Sequence, residues 1–222
     1  MSSDKDKSIG GEAVELPKLS RQNCKDSFHC DDPLCFSKME RSISFLLQDL
    51  NQDYSREIVY LCIGTDRATG DCLGPLVGTR LQSLLRSAHI YGTLEIPVHA
   101  TNLDHFLSII NAEHHNPLLV AIDACLGNAD RIGYINVKKG SLQPGTALRK
   151  VLPEVGDFHI SGVVNIGGFL EHMVLQNTRL YTVYRMADVI AKGLCLAHSS
   201  FKRHSLADAI KDGICQASAL KQ

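Results

Sequence analysis

A chain of 222 residues, 44% hydrophobic and 21% charged, has the make-up of one globular domain or of a domain with a tail, which excludes a disordered polymer. Lys+Arg at 23 against Asp+Glu at 24 leave a net charge of −1, without the basic excess that nucleic-acid phosphates demand of a binder. No run approaches about 18 consecutive apolar residues, and the start Met1-Ser2-Ser3-Asp4-Lys5 has no apolar segment behind it, so neither a membrane span nor a secretory signal is expected.

Residues 1–35 contain twelve charged and only eleven hydrophobic residues with no sustained period, and they read as a polar, mobile extension. Cys24, His29, Cys30 and Cys35 fall there. Their spacings match neither a zinc ribbon nor a finger, which favours a cysteine-containing tail over a metal site. Without a secretion signal the expected compartment is the reducing cytoplasm, where the eight cysteines stay free. A single domain is expected over 36–222.

Met39, Ile43, Leu46, Leu47 and Leu50 line one face of a helix over 37–50. The run Ile58–Ile63 is apolar throughout and ends at Gly64, as a strand buried on both faces does. Leu73, Leu76, Val77, Leu81 and Leu84 then recur at helical spacing, with Pro75 in the first turn. A weak strand is expected at 94–98, a helix capped by Thr101 or Asn102, a buried strand at 118–122 ending at Asp123, and another strand at 132–137. Residues 158–164 suit either a strand or a loop. A long helix begins near Thr178, and Ser205 with Asp208 marks the start of a short final one. Strands alternating with helices predict a three-layer α/β/α sandwich with a mostly parallel sheet.

Functional crevices of such sheets lie beyond the carboxyl ends of the strands, and two acidic residues fall there. Asp71 sits in the loop Gly64-Thr65-Asp66-Arg67-Ala68-Thr69-Gly70-Asp71-Cys72-Leu73-Gly74-Pro75. That loop has no Lys-Ser/Thr after its glycines and no Gly-x-Gly, so a phosphate cradle is disfavoured. A lone Asp71 would be read as a helix cap. Asp123 ends a wholly apolar strand and must face a cleft or a partner. If the two strands are neighbours, the carboxylates converge. They then share a proton, bind a cation or sit beside a positive group, and the first two options both activate water. His159 is the third candidate, as a proton shuttle or metal ligand.

The segment Leu61 to Gly78 resembles the hallmark block of the YyaC-type spore protease family, and Gly167 to Leu180 resembles its second block. The resemblance spans roughly residues 37–200. The pattern is similar, at greater distance, to the spore germination protease and the hydrogenase maturation proteases, which implies a phosphorylase/hydrolase-like (HybD-like) fold. Asp71 and Asp123 match the aspartates implicated in peptide hydrolysis in the germination protease. In the hydrogenase proteases an acidic pair and a histidine hold nickel, with glutamate where this chain has Asp71 and a histidine where it has His159.

The resemblance therefore implies a sporulation-associated endopeptidase in the forespore or mother cell, with Asp71, Asp123 and His159 catalytic. Asp66, Arg67 and Thr69 are expected to bind substrate, a protein or peptide of the developing spore, with no nucleic acid or membrane as partner. A metal-free dyad is the first expectation; nickel or zinc on Asp71, Asp123 and His159 is the second. The alternative function is a non-catalytic sporulation factor that binds a protein partner. An oligomer is compatible with the apolar C-terminal helices.

Overall fold

The computed structural model describes residues 25–144 and 152–219. Six strands form one sheet in the order β1-β5-β6-β4-β2-β3. These are β1 (Lys25–His29), β2 (Ile58–Cys62), β3 (His89–Tyr91), β4 (Leu118–Gly127), β5 (Tyr134–Lys139) and β6 (Phe158–Ile166). β6, β4, β2 and β3 pair in parallel, and β5 runs antiparallel to both β6 and β1.

Alternation along the strands divides the core in two. Tyr60, Cys62, Val120, Ile122, Phe158 and Ile160 face one layer of helices. That layer holds α1 (Cys35–Leu50), α2 (Leu73–Leu84) and the 40-residue α5 (Leu180–Ala219). Val59, Leu61, Ile63 and Ala121 face α3 (Leu103–Glu113) on the other side. The result is the expected α/β/α sandwich with a mostly parallel sheet. The interior strand β2 is buried at every position, as its unbroken apolar run requires.

Several elements depart from the expectations. The extension does not run to residue 35: Lys25–His29 pair along β5, Cys30 and Cys35 are buried, and Cys35 opens α1. Polar residues suit an edge strand, because only one side of it is paired, so composition disguised β1. Cys24 and the residues before it lie outside those described. The weak strand expected at 94–98 is reduced to a single bridge between Val98 and Ile63, and the edge strand is His89–Tyr91 instead. Pro97, which lacks an N–H, suits the interruption. No break separates a last short helix, since α5 runs through Ser205 and Asp208.

The glycines of the 64–78 segment allow close approach between α2 and β2. A Cβ on Gly74 would stand 2.1 Å from the Ile63 carbonyl oxygen. Gly64, at φ +141°, has no room either: its Cβ would meet the Asp71 carbonyl oxygen at 2.0 Å. These contacts set the loop that carries Asp71 directly on the end of β2.

Candidate active site

The chain leaves β2 and returns at β3 on one side, then crosses β2 to form β4 on its other side. The carboxyl ends of β2 and β4 are therefore the point where strand order reverses, the place where open sheets form a crevice. A cleft of about 430 Å³ opens there, within the range of ligand sites. Asp71 and Asp123 both line it.

Asp123 is not the last residue of its strand, for β4 continues to Gly127. It is the first residue of β4 beyond the last β2 pair, Cys62 with Ile122, so the sheet is open beside it. The residue is 7% exposed, and its Oδ1 accepts the N–H of Ala124 at 2.8 Å. Burial, then the charge of Asp71, push its carboxyl well above the ordinary carboxylate range.

Asp71 lies in a short 3₁₀ turn, Thr69–Cys72, just ahead of α2. It caps no helix: the residue at the N-cap of α2 is Cys72, and no side chain bonds the free N–H groups there. Burial raises its pKa, while the N–H of Thr65 and the charges of His99 and His172 pull it down. The two carboxyls thus share one cleft, and the charge of Asp71 opposes the ionisation of Asp123, so the proton favours the more deeply buried Asp123.

His159 is not part of this cleft. It pairs with Ala121, two residues before the Asp123–Ser161 pair, which sets it about 7 Å back along the sheet. Its Nδ1 is within 2.8 Å of the Gly140 carbonyl oxygen, and burial lowers its pKa. The histidines that line the cleft are His99 and His172. His99 follows the Val98 bridge, where its N–H donates to Asn102 Oδ1 at 2.8 Å and its Nδ1 lies 2.9 Å from the Thr101 hydroxyl. His172 is carried by α4 (Glu171–Gln176), which forms one wall of the cleft. Spacing did not single out either histidine, because each reaches the cleft from a segment remote from both aspartates in sequence. The placement of His172 in the second family block was the available signal.

Of the expected substrate contacts, Arg67 lines the cleft, but Asp66 and Thr69 do not; Thr65 and Ala68 take their places. Within this turn Thr65 Oγ1 accepts the N–H of Arg67 at 3.3 Å. Cys125 also lines the cleft, but burial raises its pKa against the lowering hydrogen bond with Ser161, which holds it as a thiol.

Asp71, Asp123 and His159 do not form the donor set that the second expectation, a nickel or zinc centre, requires. Among the described residues, the groups of three His, Cys, Asp or Glu donors within 4.8 Å of one another are His29–Cys30–Asp31 and Glu57–His89–His114. Neither includes Asp71, Asp123 or His159.

Residues 28–193 match the family model described as "Protein of unknown function (DUF1256)". The chain is 49% identical over 154 residues to "Uncharacterized protein YyaC" of Bacillus subtilis (strain 168), an alignment covering 69% of this chain and 75% of that relative. Among solved structures it is similar to the NiFe hydrogenase maturation protease HycI of Thermococcus kodakarensis KOD1, at a TM-score of 0.42 and 20% identity, covering 66% of this chain and 98% of that one.

Proposed function

The chain belongs to the DUF1256 family, the family of YyaC, and from that premise we propose that it is a peptidase in which Asp71 and Asp123 activate water. The observation that carries the reading is the pair itself: two carboxyls in one cleft, both raised by burial, with the charge of Asp71 adding to the cost of ionising the more deeply buried Asp123. In the working form Asp71 is ionised and Asp123 holds the proton. Asp71 takes a proton from a water held in the cleft while that water attacks the peptide carbonyl carbon. Asp123 donates its proton to the carbonyl oxygen, which stabilises the tetrahedral intermediate. As the C–N bond breaks, the proton on Asp71 passes to the leaving amine, and the hydroxyl proton returns to Asp123.

The rim of the cleft favours a polypeptide over a small metabolite. α4 turns His172 and Leu175 toward the cleft, while beside it Phe169 is 94% exposed and Leu170, Met173 and Ile166 are exposed too. An apolar strip of this kind beside an active cleft suits the side chains that flank a scissile bond. Arg67 on the opposite wall supplies a cation for a carbonyl or an acidic side chain. By the resemblance of the two blocks, the substrate is a protein of the developing spore and the enzyme works in the cytoplasm of the forespore or mother cell. Among the described residues no helix is long and apolar enough to cross a membrane.

The test is hydrolysis in ¹⁸O-labelled water. Purified protein is incubated with an extract of sporulating cells, and new carboxyl termini are sought by mass spectrometry. Label at new termini that disappears in Asp71→Asn and Asp123→Asn is expected, with each substitution costing about 10²-fold or more. Cleavage that persists in the double variant, or no cleavage beside a germinating-spore control, refutes the reading.

A further inference from the structure

At the opposite end of the sheet, where the parallel strands begin, three donors converge from three separate segments. Glu57 immediately precedes β2, His89 opens β3, and His114 follows α3. One donor atom from each lies within 4.8 Å of the other two. The backbone fixes their relation: Val59 pairs with His89 across β2 and β3, and the Glu57 carbonyl accepts the N–H of Leu118 at 2.7 Å.

The hydrogen bonding around His114 leaves one nitrogen with a specific need. His114 is buried, with Nδ1 2.7 Å from Glu57 Oε2 and Nε2 3.0 Å from the Tyr91 hydroxyl. That hydroxyl donates its one hydrogen to Glu113 Oε2 at 2.6 Å. The Tyr91 oxygen can then only accept, so Nε2 carries a hydrogen. A neutral ring in this tautomer turns the lone pair of Nδ1 toward a carboxylate, which is repulsive. Either a second ring proton or a cation must stand between them. The ring of His89 stacks edge-on to that of His114 at 4.4 Å between centroids, and so brings a second imidazole to the same point.

We propose that Glu57, His89 and His114 bind a divalent transition metal, with zinc as the best-matched ion. Two imidazoles and a carboxylate are a borderline-soft donor set that zinc accepts, and water would fill the fourth position. Tetrahedral donors at about 2.1 Å stand about 3.4 Å apart, so the 2.7 Å contact opens by less than 1 Å as the ion enters. The Tyr91–Glu113 pair supplies the outer hydrogen bonds that orient a ligating histidine. Lys202 of α5 is the cation close enough to act on Glu57, and it opposes the metal. Bound there, the ion ties the starts of β2 and β3 to the α3–β4 turn, far from the Asp71–Asp123 cleft.

The test is zinc binding to the full chain by calorimetry, with cobalt substituted to read coordination from its visible spectrum. One equivalent is expected, with a tetrahedral cobalt spectrum and a higher melting temperature. His89→Ala, an exposed position that leaves the His114 hydrogen bonds in place, should abolish binding, as should Glu57→Gln. Tyr91→Phe should weaken it by about 10–100-fold, and Lys202→Ala should strengthen it. Asp71→Asn with Asp123→Asn, and separately Cys30→Ser, should leave it unchanged, which separates this site from the cleft and from His29–Cys30–Asp31. No zinc bound, or stoichiometric binding that survives both His89→Ala and Glu57→Gln, overturns the assignment.

Discussion

Asp123 shows how one buried carboxyl ties stability to pH. Folding raises its pKa, so above about pH 4 the native chain holds a proton that the unfolded chain has released. Stability from this residue is present below the unfolded pKa and is lost as pH rises through the native one. Asp123→Asn removes that titration and keeps an oxygen for the Ala124 N–H. The variant should therefore melt above the parent near pH 8, with the difference closing toward pH 4, as thermal unfolding at a series of pH values will show. A constant difference would mean that the carboxyl is ionised throughout. His99 gives a second prediction at this scale. Its positive charge lowers the pKa of Asp71, so His99→Ala should move the acid limb of peptide hydrolysis to higher pH. His159→Ala, remote from the cleft, should leave that limb in place.

Among elements, the turn from β2 into α2 carries the tightest tolerance. Its glycines, which outwardly suit a phosphate loop, let a helix lie against a strand end, and so deliver Asp71 to the cleft. In Gly74→Ala the new methyl meets the backbone of Ile63, which has no side chain to rotate away. We expect a loss of about 1–3 kcal/mol or more in denaturant unfolding, accompanied by lost hydrolysis, since Asp71 moves with the helix start. Stability unchanged by this substitution would show that α2 can shift without cost. A comparable tie joins the starts of β2, β4 and β6: Arg56 pairs with Asp157 at 2.9 Å and also donates to the Pro117 carbonyl at 2.7 Å. Asp157 in turn accepts the N–H of Leu119 at 2.8 Å. This set aligns the starts of β4 and β6, and thereby the register that places Asp123 opposite Ser161.

For the whole molecule, the sheet has two working ends. The carboxyl ends of β2 and β4 hold the acidic cleft, and the amino ends of β2 and β3 hold the histidine-rich corner. Between them the two apolar layers make a continuous separation, so the two ends should respond independently to substitution. The far edge depends on β1. A chain beginning at residue 36 loses the β1–β5 ladder along with buried Cys30 and Cys35 and the Phe28 side chain packed on the core. Its denaturant midpoint should fall by the equivalent of about 3 kcal/mol or more relative to the full chain. An unchanged midpoint would mean that β1 contributes nothing to folding.

Layer architecture and the acidic pair were legible in the residues themselves. The runs Ile58–Ile63 and Leu118–Ile122 are apolar over a length that only a doubly covered strand requires, and a carboxylate abutting such a run has to be accommodated in a cleft. Local patterning carries that information because burial on each face is written at fixed intervals along one segment. It does not carry which remote side chains meet. β1 is polar because a sheet edge tolerates polarity, and only its pairing with β5 reveals it as a strand. His159, chosen for its neighbours in sequence, falls two residues behind the cleft along its strand, while His99 enters from a loop and His172 from α4, which converge only once β2, β4 and α4 are assembled. Register and crossover, set by packing over the whole chain, decided those positions.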